Sequence, residues 1–355
     1  MSNGLPSGRE IPLKFGLQLG YWDATARVRE DREVVTELEK LGGFDSVWVA
    51  ESYGSDVFSR LGWMAAFTER IRLGSNILPI WGRAPTTSAQ GAMTLDHLSN
   101  GRVVLALGVS GPPAAEGWWG QQFDKPVSRT REYVAIMRQV LAREGPVASP
   151  GPLYPLPLRE GPGRPLKIIT HPLRRDLPIL IGAYGPKNVA LAAEVGDGWS
   201  PGMYSPRLDS TWREMLDAGF KKSTVARSVE FEVIPVVHTV IDDDLERAAD
   251  TLRPMLQLHI GQMAAVGMTF TYEAFVRMGH GDAATKVVEL SKEGKHREAT
   301  AAIPTRMIEE VCLIGSKERI ADRIAEFRES ITTTLIFRPP SGHALTVIRA
   351  LADVL

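Results

Sequence analysis

Eight short apolar runs recur along this chain, each followed by a longer stretch of helical period, and no two-residue hairpin turn joins any neighbouring pair. The runs are Lys14–Gly20, Asp45–Ser52, Arg72–Pro79, Arg102–Gly111, Leu177–Gly185, Asp197–Gly202, Val229–Val240 and Thr332–Pro340. Parallel strands must be joined by a crossover, and a helix is the usual one, so the alternation predicts a parallel α/β fold. Eight βα units count out a (βα)8 TIM barrel, an architecture that commonly takes 250 residues or more as one unit. An open doubly wound sheet is the alternative. Against it, the first strand turns through LGYWDA, which has none of the glycine spacing that lets a backbone approach a pyrophosphate. A single domain over 1–355 is expected, with two insertions. One is a proline- and glycine-rich loop at about 145–176, and the other a helical excess at about 242–305 that either covers the barrel mouth or makes a subunit contact.

Composition narrows the function classes. The formal charge is −1, from 41 basic and 42 acidic residues, so no global field draws the chain to nucleic acid or an anionic membrane. The lone Cys312 excludes an internal disulfide and, between apolar neighbours, reads as a buried small hydrophobe. No run approaches the roughly 18 apolar residues of a membrane span, and the opening MSNGLPSGRE lacks a signal peptide's apolar centre. A cytoplasmic protein is expected. The seven histidines show no metal-ligand spacing, and neither a nucleophile elbow nor a P-loop is present, so no metal is expected.

In a βα barrel ligands gather at the carboxyl ends of the strands, and several of these ends look chemically prepared. Gly108, Ser110 and Gly111 follow the fourth run and offer backbone N–H groups and a hydroxyl, although such residues also make ordinary turns. Gly185, Pro186 and Lys187 open a helix, and a helix N-terminus attracts phosphate. Glu51 and Ser52 follow the second run and are the candidate catalytic pair, Glu51 as acid or base; the competing reading of Glu51 is a helix cap or ion-pair partner. Trp22, Trp118 and Trp119 stand just past strand ends, suited to walling a planar ligand or to rim packing. His171 and His343 fall in loops that could reach the mouth.

Six strings in unbroken order resemble the luciferase-like monooxygenase superfamily, and within it the branch of coenzyme F420-dependent oxidoreductases. They are FGLQLGYW, GFDSVWVAESYGSD, RIRLGSNILP, TLDHLSNGRVVLALGVSGP, EGWWGQQFDKPVSRTREYV and AYGPKNVALAAEVGDGWSP. The resemblance implies a barrel with coenzyme F420 across the strand ends, exchanging a hydride with a small organic substrate. It implies a bulge at Ser75-Asn76-Ile77 behind the cofactor ring, with a cis bond between Asn76 and Ile77. It also implies Gly108, Ser110 and Gly111 at the pyrimidine edge, Ala183, Tyr184, Gly185 and Lys187 toward the phosphate, and Trp22 as part of the wall. Arg83, Lys187, Arg174 and Arg175 would meet the cofactor's acidic tail. Some relatives of this branch carry an Asp-His pair where Glu51-Ser52 stands here, and serine takes no proton near neutral pH without a base beside it. Two alternatives in the same fold are a flavin mononucleotide (FMN) monooxygenase and a non-catalytic flavin-binding barrel. A homodimer is expected, with no nucleic-acid or membrane partner.

Overall fold

A computed structural model describes residue 5 and residues 12–227 and 230–355 of the chain. The rest of the MSNGLPSGRE opening lies outside the described residues, as does Val229, the first residue of the expected seventh strand. Ten strands form one sheet: β1 (Lys14–Gly20), β2 (Phe44–Val49), β3 (Arg72–Pro79), β4 (Val103–Gly108), β5 (Ile179–Ala183), β6 (Gly198–Pro201), β7 (Glu232–Val233), β8 (Val236–Ile241), β9 (Cys312–Gly315) and β10 (Thr334–Arg338). Their order is β7-β6-β5-β4-β3-β2-β1-β10-β8-β9, and every pair is parallel.

The sheet closes into a barrel through one passage of chain. Ile234 and Pro235 alone separate β7 from β8; the Ile234 N–H donates to Trp199 O of β6 at 2.9 Å, and Pro235 O accepts from Ile336 N of β10 at 2.9 Å. Residues 232–241 therefore join β6 to β10, giving eight passages around the barrel with β9 laid beside β8. Two expectations change in detail. The seventh strand is split, because Pro235 has no N–H to give the ladder. The strand β9 was not among the expected runs: Cys312–Gly315 follows the helix Thr305–Val311 with no turn residue between to mark the change.

Inward-facing residues alternate along each strand. The barrel interior holds Trp48, Val104, Ala106, Leu180, Ile234 and Ile336, all essentially buried. Trp48 fills most of this space because Gly16 and Gly74 face it without side chains; a Cβ on Gly74 would lie 2.0 Å from Trp48 Cε3. Gly74→Ala is accordingly expected to cost about 1–3 kcal/mol by overpacking, read as a lower thermal midpoint. A larger apolar cluster, with Leu38, Leu73, Met93, Met137 and Ile348 among its members, cements strands to surrounding helices.

The expected loop over 145–176 is irregular apart from one antiparallel bridge between Ser149 and Leu156. The expected helical excess contains Leu245–Gln257, a π-helical turn at Leu258–Gln262, Met263–Ala265, Phe270–Arg277, Gly281–Lys292 and His296–Ala301, and the helix Thr305–Val311 carries it on past residue 305. It buries its own apolar cluster around Leu256, Ile260, Phe275 and Val287. It also leans over the carboxyl ends of the strands: Met268 lies against Gly111, and the Phe270 ring is 4.9 Å from that of Tyr184. Among the described residues no helix is long and apolar enough to cross a membrane. A cavity of about 260 Å³ opens at the opposite, amino-terminal face of the barrel, beside Lys14, Thr334 and the bidentate pair Arg72–Glu232. Residues on that face serve stability in barrels of this kind.

Candidate active site

At Ser75-Asn76-Ile77 the ladder between β3 and β4 slips. Asn76 pairs with Ala106 and Leu78 with Leu107, so Ile77 is the extra residue of a bulge, and the Asn76–Ile77 peptide bond is cis. The Ile77 side chain stands in the barrel mouth. A Cβ on Gly108 would meet Ile77 Cδ1 at 2.2 Å, and one on Gly182 would meet Ile77 Cγ2 at 2.9 Å, so two inward-facing positions are glycine where the Ile77 side chain rests.

Polar side chains hold the bulge from below. Gln18 Nε2 donates to Asn76 O at 2.8 Å, and Ser200 Oγ donates to Asn76 Oδ1 at 3.0 Å. Asn76 Nδ2 and Gln18 Oε1 are buried with no partner among the described residues. Ser75 is fully buried, and its hydroxyl exchanges hydrogen bonds with Ala106 of β4 at 3.1 and 3.2 Å. It cannot touch a ligand with its side chain; it braces the bulge, which corrects its expected role as a direct contact.

Beside Ile77, Ser110 adopts a left-handed φ of 49°, and the N–H groups of Ser110 and Gly111 donate to no carbonyl or side chain among the described residues. Pro112 and Pro113 follow and bring no N–H of their own. The helix Pro186–Val195 begins at Gly185 with no side-chain cap; Pro186 has no N–H and the Asn188 N–H donates to Gly185 O at 3.0 Å, so the Lys187 N–H is left without a partner in the first turn among the described residues. Lys187, in its first turn, is exposed and has no ion-pair partner among the described residues. Ala183 is buried and its carbonyl accepts from Trp199 Nε1 at 3.1 Å; Tyr184 leans on Gly202 and Phe270. A planar ring over Ile77, a pyrimidine edge at Ser110–Gly111 and a phosphate at Gly185–Lys187 fit these groups.

Several expected contacts are committed elsewhere. The Glu51 carboxylate is bound on both oxygens, to Arg83 Nη1 at 2.6 Å and to the Val57 N–H at 3.0 Å, so the geometry favours the ion-pair reading over proton transfer. Arg83 also holds Asp56, so it is not free for an anionic tail. Ser52 has no hydrogen-bond partner among the described residues, and thus no base to activate it. Trp22 turns away from the mouth: its indole N–H donates to Asp31 at 2.8 Å and its ring lies under the Arg60 guanidinium at 5.0 Å. Arg174 pairs with Asp96, and His171 O accepts from His97 at the end of helix Pro85–Leu98. That helix runs back from the mouth, so both lie at the far face of the barrel. Trp118 is largely exposed; Trp119 packs on Gly82. Cys312 is buried and its thiol is pushed up to about 12 by burial, which leaves it inert.

Four mouth residues were not read from the sequence: Gln18, Ser200, His238 and Arg338. Each follows an inward-facing interior residue by two positions, as His238 follows Val236 and Arg338 follows Ile336. Period-two alternation places them on the inner face. A polar residue interrupting an apolar strand near its carboxyl end was the available signal. His238 is held well below its usual pKa by burial, with Arg338 and His259 adding to the effect, so its imidazole is neutral. Among the described residues no cluster of three or more His, Cys, Asp or Glu could hold a metal ion.

The profile of the luciferase-like monooxygenase family matches residues 14–334. The chain belongs to this family. A relative from Mycobacterium tuberculosis, named provisionally as a coenzyme F420-dependent oxidoreductase, is 43% identical over 347 residues, covering 96% of this chain and 99% of its own length. The 5,10-methylenetetrahydromethanopterin reductase of Archaeoglobus fulgidus is 27% identical over 343 residues, 93% of this chain and 94% of its own. Among solved structures, the coenzyme F420-dependent tetrahydromethanopterin reductase of Methanopyrus kandleri superposes with a TM-score of 0.78 at 21% identity, covering 97% of this chain and 98% of its own. The luciferase-like fold is thus shared along nearly the whole chain.

Proposed function

We propose that this protein is a coenzyme F420-dependent oxidoreductase acting on a small organic substrate. The observation that carries the reading is the Ile77 seat: a bulged side chain against two glycines, beside the unengaged N–H groups of Ser110 and Gly111. The names of the relatives support the choice of cofactor. The deazaflavin, when bound, supplies the hydride chemistry. The chain does the rest. Ile77 blocks one face of the ring and leaves the other to substrate. The Ser110 and Gly111 N–H groups fix its pyrimidine edge, and the Gly185 helix end with Lys187 takes the phosphate. Met268 and Phe270 shield this side from water. Glu51 acts as a positioning residue that fixes Arg83 and the start of helix Val57–Ala65.

The same seat would accept the isoalloxazine ring of FMN, and fold alone does not separate the two chemistries. Fluorescence titration of the purified protein with each cofactor does. Two substitutions probe the assigned contacts. Lys187→Ala should weaken coenzyme F420 binding about two- to fivefold, the scale of one exposed charge at a helix end, and flatten its salt dependence. An affinity unchanged at low salt would place the phosphate elsewhere. Glu51→Gln should lower the melting temperature with little effect on cofactor affinity; loss of hydride transfer at unchanged stability would return Glu51 to the proton step.

Homodimeric assembly in the cytoplasm belongs to the same proposal. The exposed apolar residues Leu98, Leu166, Ile169 and Leu173, carried by one loop and the helix end bonded to it, supply surface for a subunit contact. Light scattering should give twice the chain mass, and a monomer would contradict the assembly.

A further inference from the structure

Arg338 ends β10 on the inner face of the barrel, in register with His238 of β8. Its Nη2 lies 3.7 Å from where a Cβ would stand on Gly20, so the guanidinium lies beside the end of the neighbouring strand β1. Among the described residues no carboxylate lies within ion-pair distance of it. This is unlike Arg60, Arg72, Arg83 and Arg174, each of which holds an aspartate or glutamate. The groups that act on Arg338 electrostatically are the phenols of Tyr21 and Tyr184, while His238 and His259 feel its positive charge. Both imidazoles are held below their usual pKa, burial first, so neither adds a second positive charge beside it. Burial likewise disfavours the guanidinium's charge. A half-buried cation without a counter-ion leaves room for an anion, and a guanidinium's planar fork matches carboxylate and phosphate oxygens.

Resting on the coenzyme F420 reading above, we infer that Arg338 is the anion anchor of the substrate subsite, and that the substrate carries a carboxylate or phosphate group. The position suits that role. The ring seat is at β3 to β5, whereas Arg338 stands on β10 beside β1 and β8, on the other side of the mouth. Tyr21, Tyr184, His238 and His259 surround the anchor without competing for it, and His259 comes from the helical cover, so the pocket is completed by the insertion.

The test uses calorimetric titration of the whole protein with benzoate, inorganic phosphate and neutral benzamide, alone and with coenzyme F420 at saturation. The expected result is saturable binding of benzoate or phosphate but not benzamide, retained when coenzyme F420 is present, and weakened about ten- to a hundredfold in Arg338→Gln, as for loss of a charged hydrogen-bond partner. The tighter anion then names the substrate's group. Arg338→Lys keeps the charge but loses the fork, so it should bind the anion more weakly than wild type and more tightly than Arg338→Gln. If Arg338→Gln fails to fold, the Lys variant against wild type decides. Anion binding that is absent, equal to that of benzamide, or unaffected by these substitutions overturns the inference. So does displacement of the anion by coenzyme F420 together with weaker coenzyme F420 binding in the variants, which would make Arg338 a cofactor contact. Failure of wild-type protein to bind coenzyme F420 would instead sink the cofactor reading, and the cofactor-free titrations would still decide the anion site.

Discussion

An Asp31→Ala variant is expected to lose about 3–5 kcal/mol of stability, because it leaves a buried guanidinium without its counter-ion. Asp31 and Arg60 are 5% and 3% exposed, and Asp31 Oδ2 accepts from Arg60 Nη2 at 2.6 Å and from the Trp22 indole N–H at 2.8 Å. Arg60 also donates to Gly20 O at 2.6 Å, so one carboxylate fixes the turn that leaves β1 for the barrel mouth. Removing it releases Trp22 and the Gly20 carbonyl together. Urea unfolding would show a lower midpoint at unchanged slope. The double variant Asp31→Leu with Arg60→Met should be more stable than Asp31→Ala, since no charge then remains buried. A midpoint equal to wild type in the single variant would mean that solvent reaches Arg60 and the pair is not a buried one.

Gly108→Val should weaken coenzyme F420 binding about ten- to a hundredfold, the scale set by the roughly 1–3 kcal/mol that overpacking costs. Gly108 lies at the end of β4, where a branched residue suits the backbone, so the cost falls on the space and not on the chain. Its added Cβ would lie 2.2 Å from Ile77 Cδ1, and Ile77 has Gly182 on its other side. The side chain is then driven up into the plane meant for the ring. Adding Ile77→Ala to Gly108→Val should restore space and part of the affinity. If Gly108→Val binds the cofactor as wild type does while melting cooperatively, Ile77 is not the ring's support.

Much of this arrangement was legible in the sequence because short apolar runs alternate with helical period, and because glycine and serine cluster where the strands end. Asn76–Ile77, Gly108 and Gly185 stand at such ends. The departures have physical causes. Pro235 interrupts a strand that hydropathy reads as continuous, and Cys312–Gly315 follows its helix with no turn residue to mark the change. Trp22 stands at a strand end like a ligand wall, but its direction is set by Asp31 and Arg60, partners that spacing does not announce. Glu51 is claimed by Arg83, which is distant in sequence, and Ser75 faces Ala106 on the next strand. Arg338 and His238 carried a readable signal in their two-residue step from Ile336 and Val236, yet the surroundings that leave Arg338 without a carboxylate come from four separate segments.

The central claim is that the Ile77 seat holds coenzyme F420. Fluorescence titration of the purified protein with coenzyme F420, and in parallel with FMN, tests it directly. Saturation by coenzyme F420 at one equivalent per chain, lost in Gly108→Val and not matched by FMN, is the predicted result. Saturation by FMN alone, or coenzyme F420 binding indifferent to Gly108→Val, would contradict it.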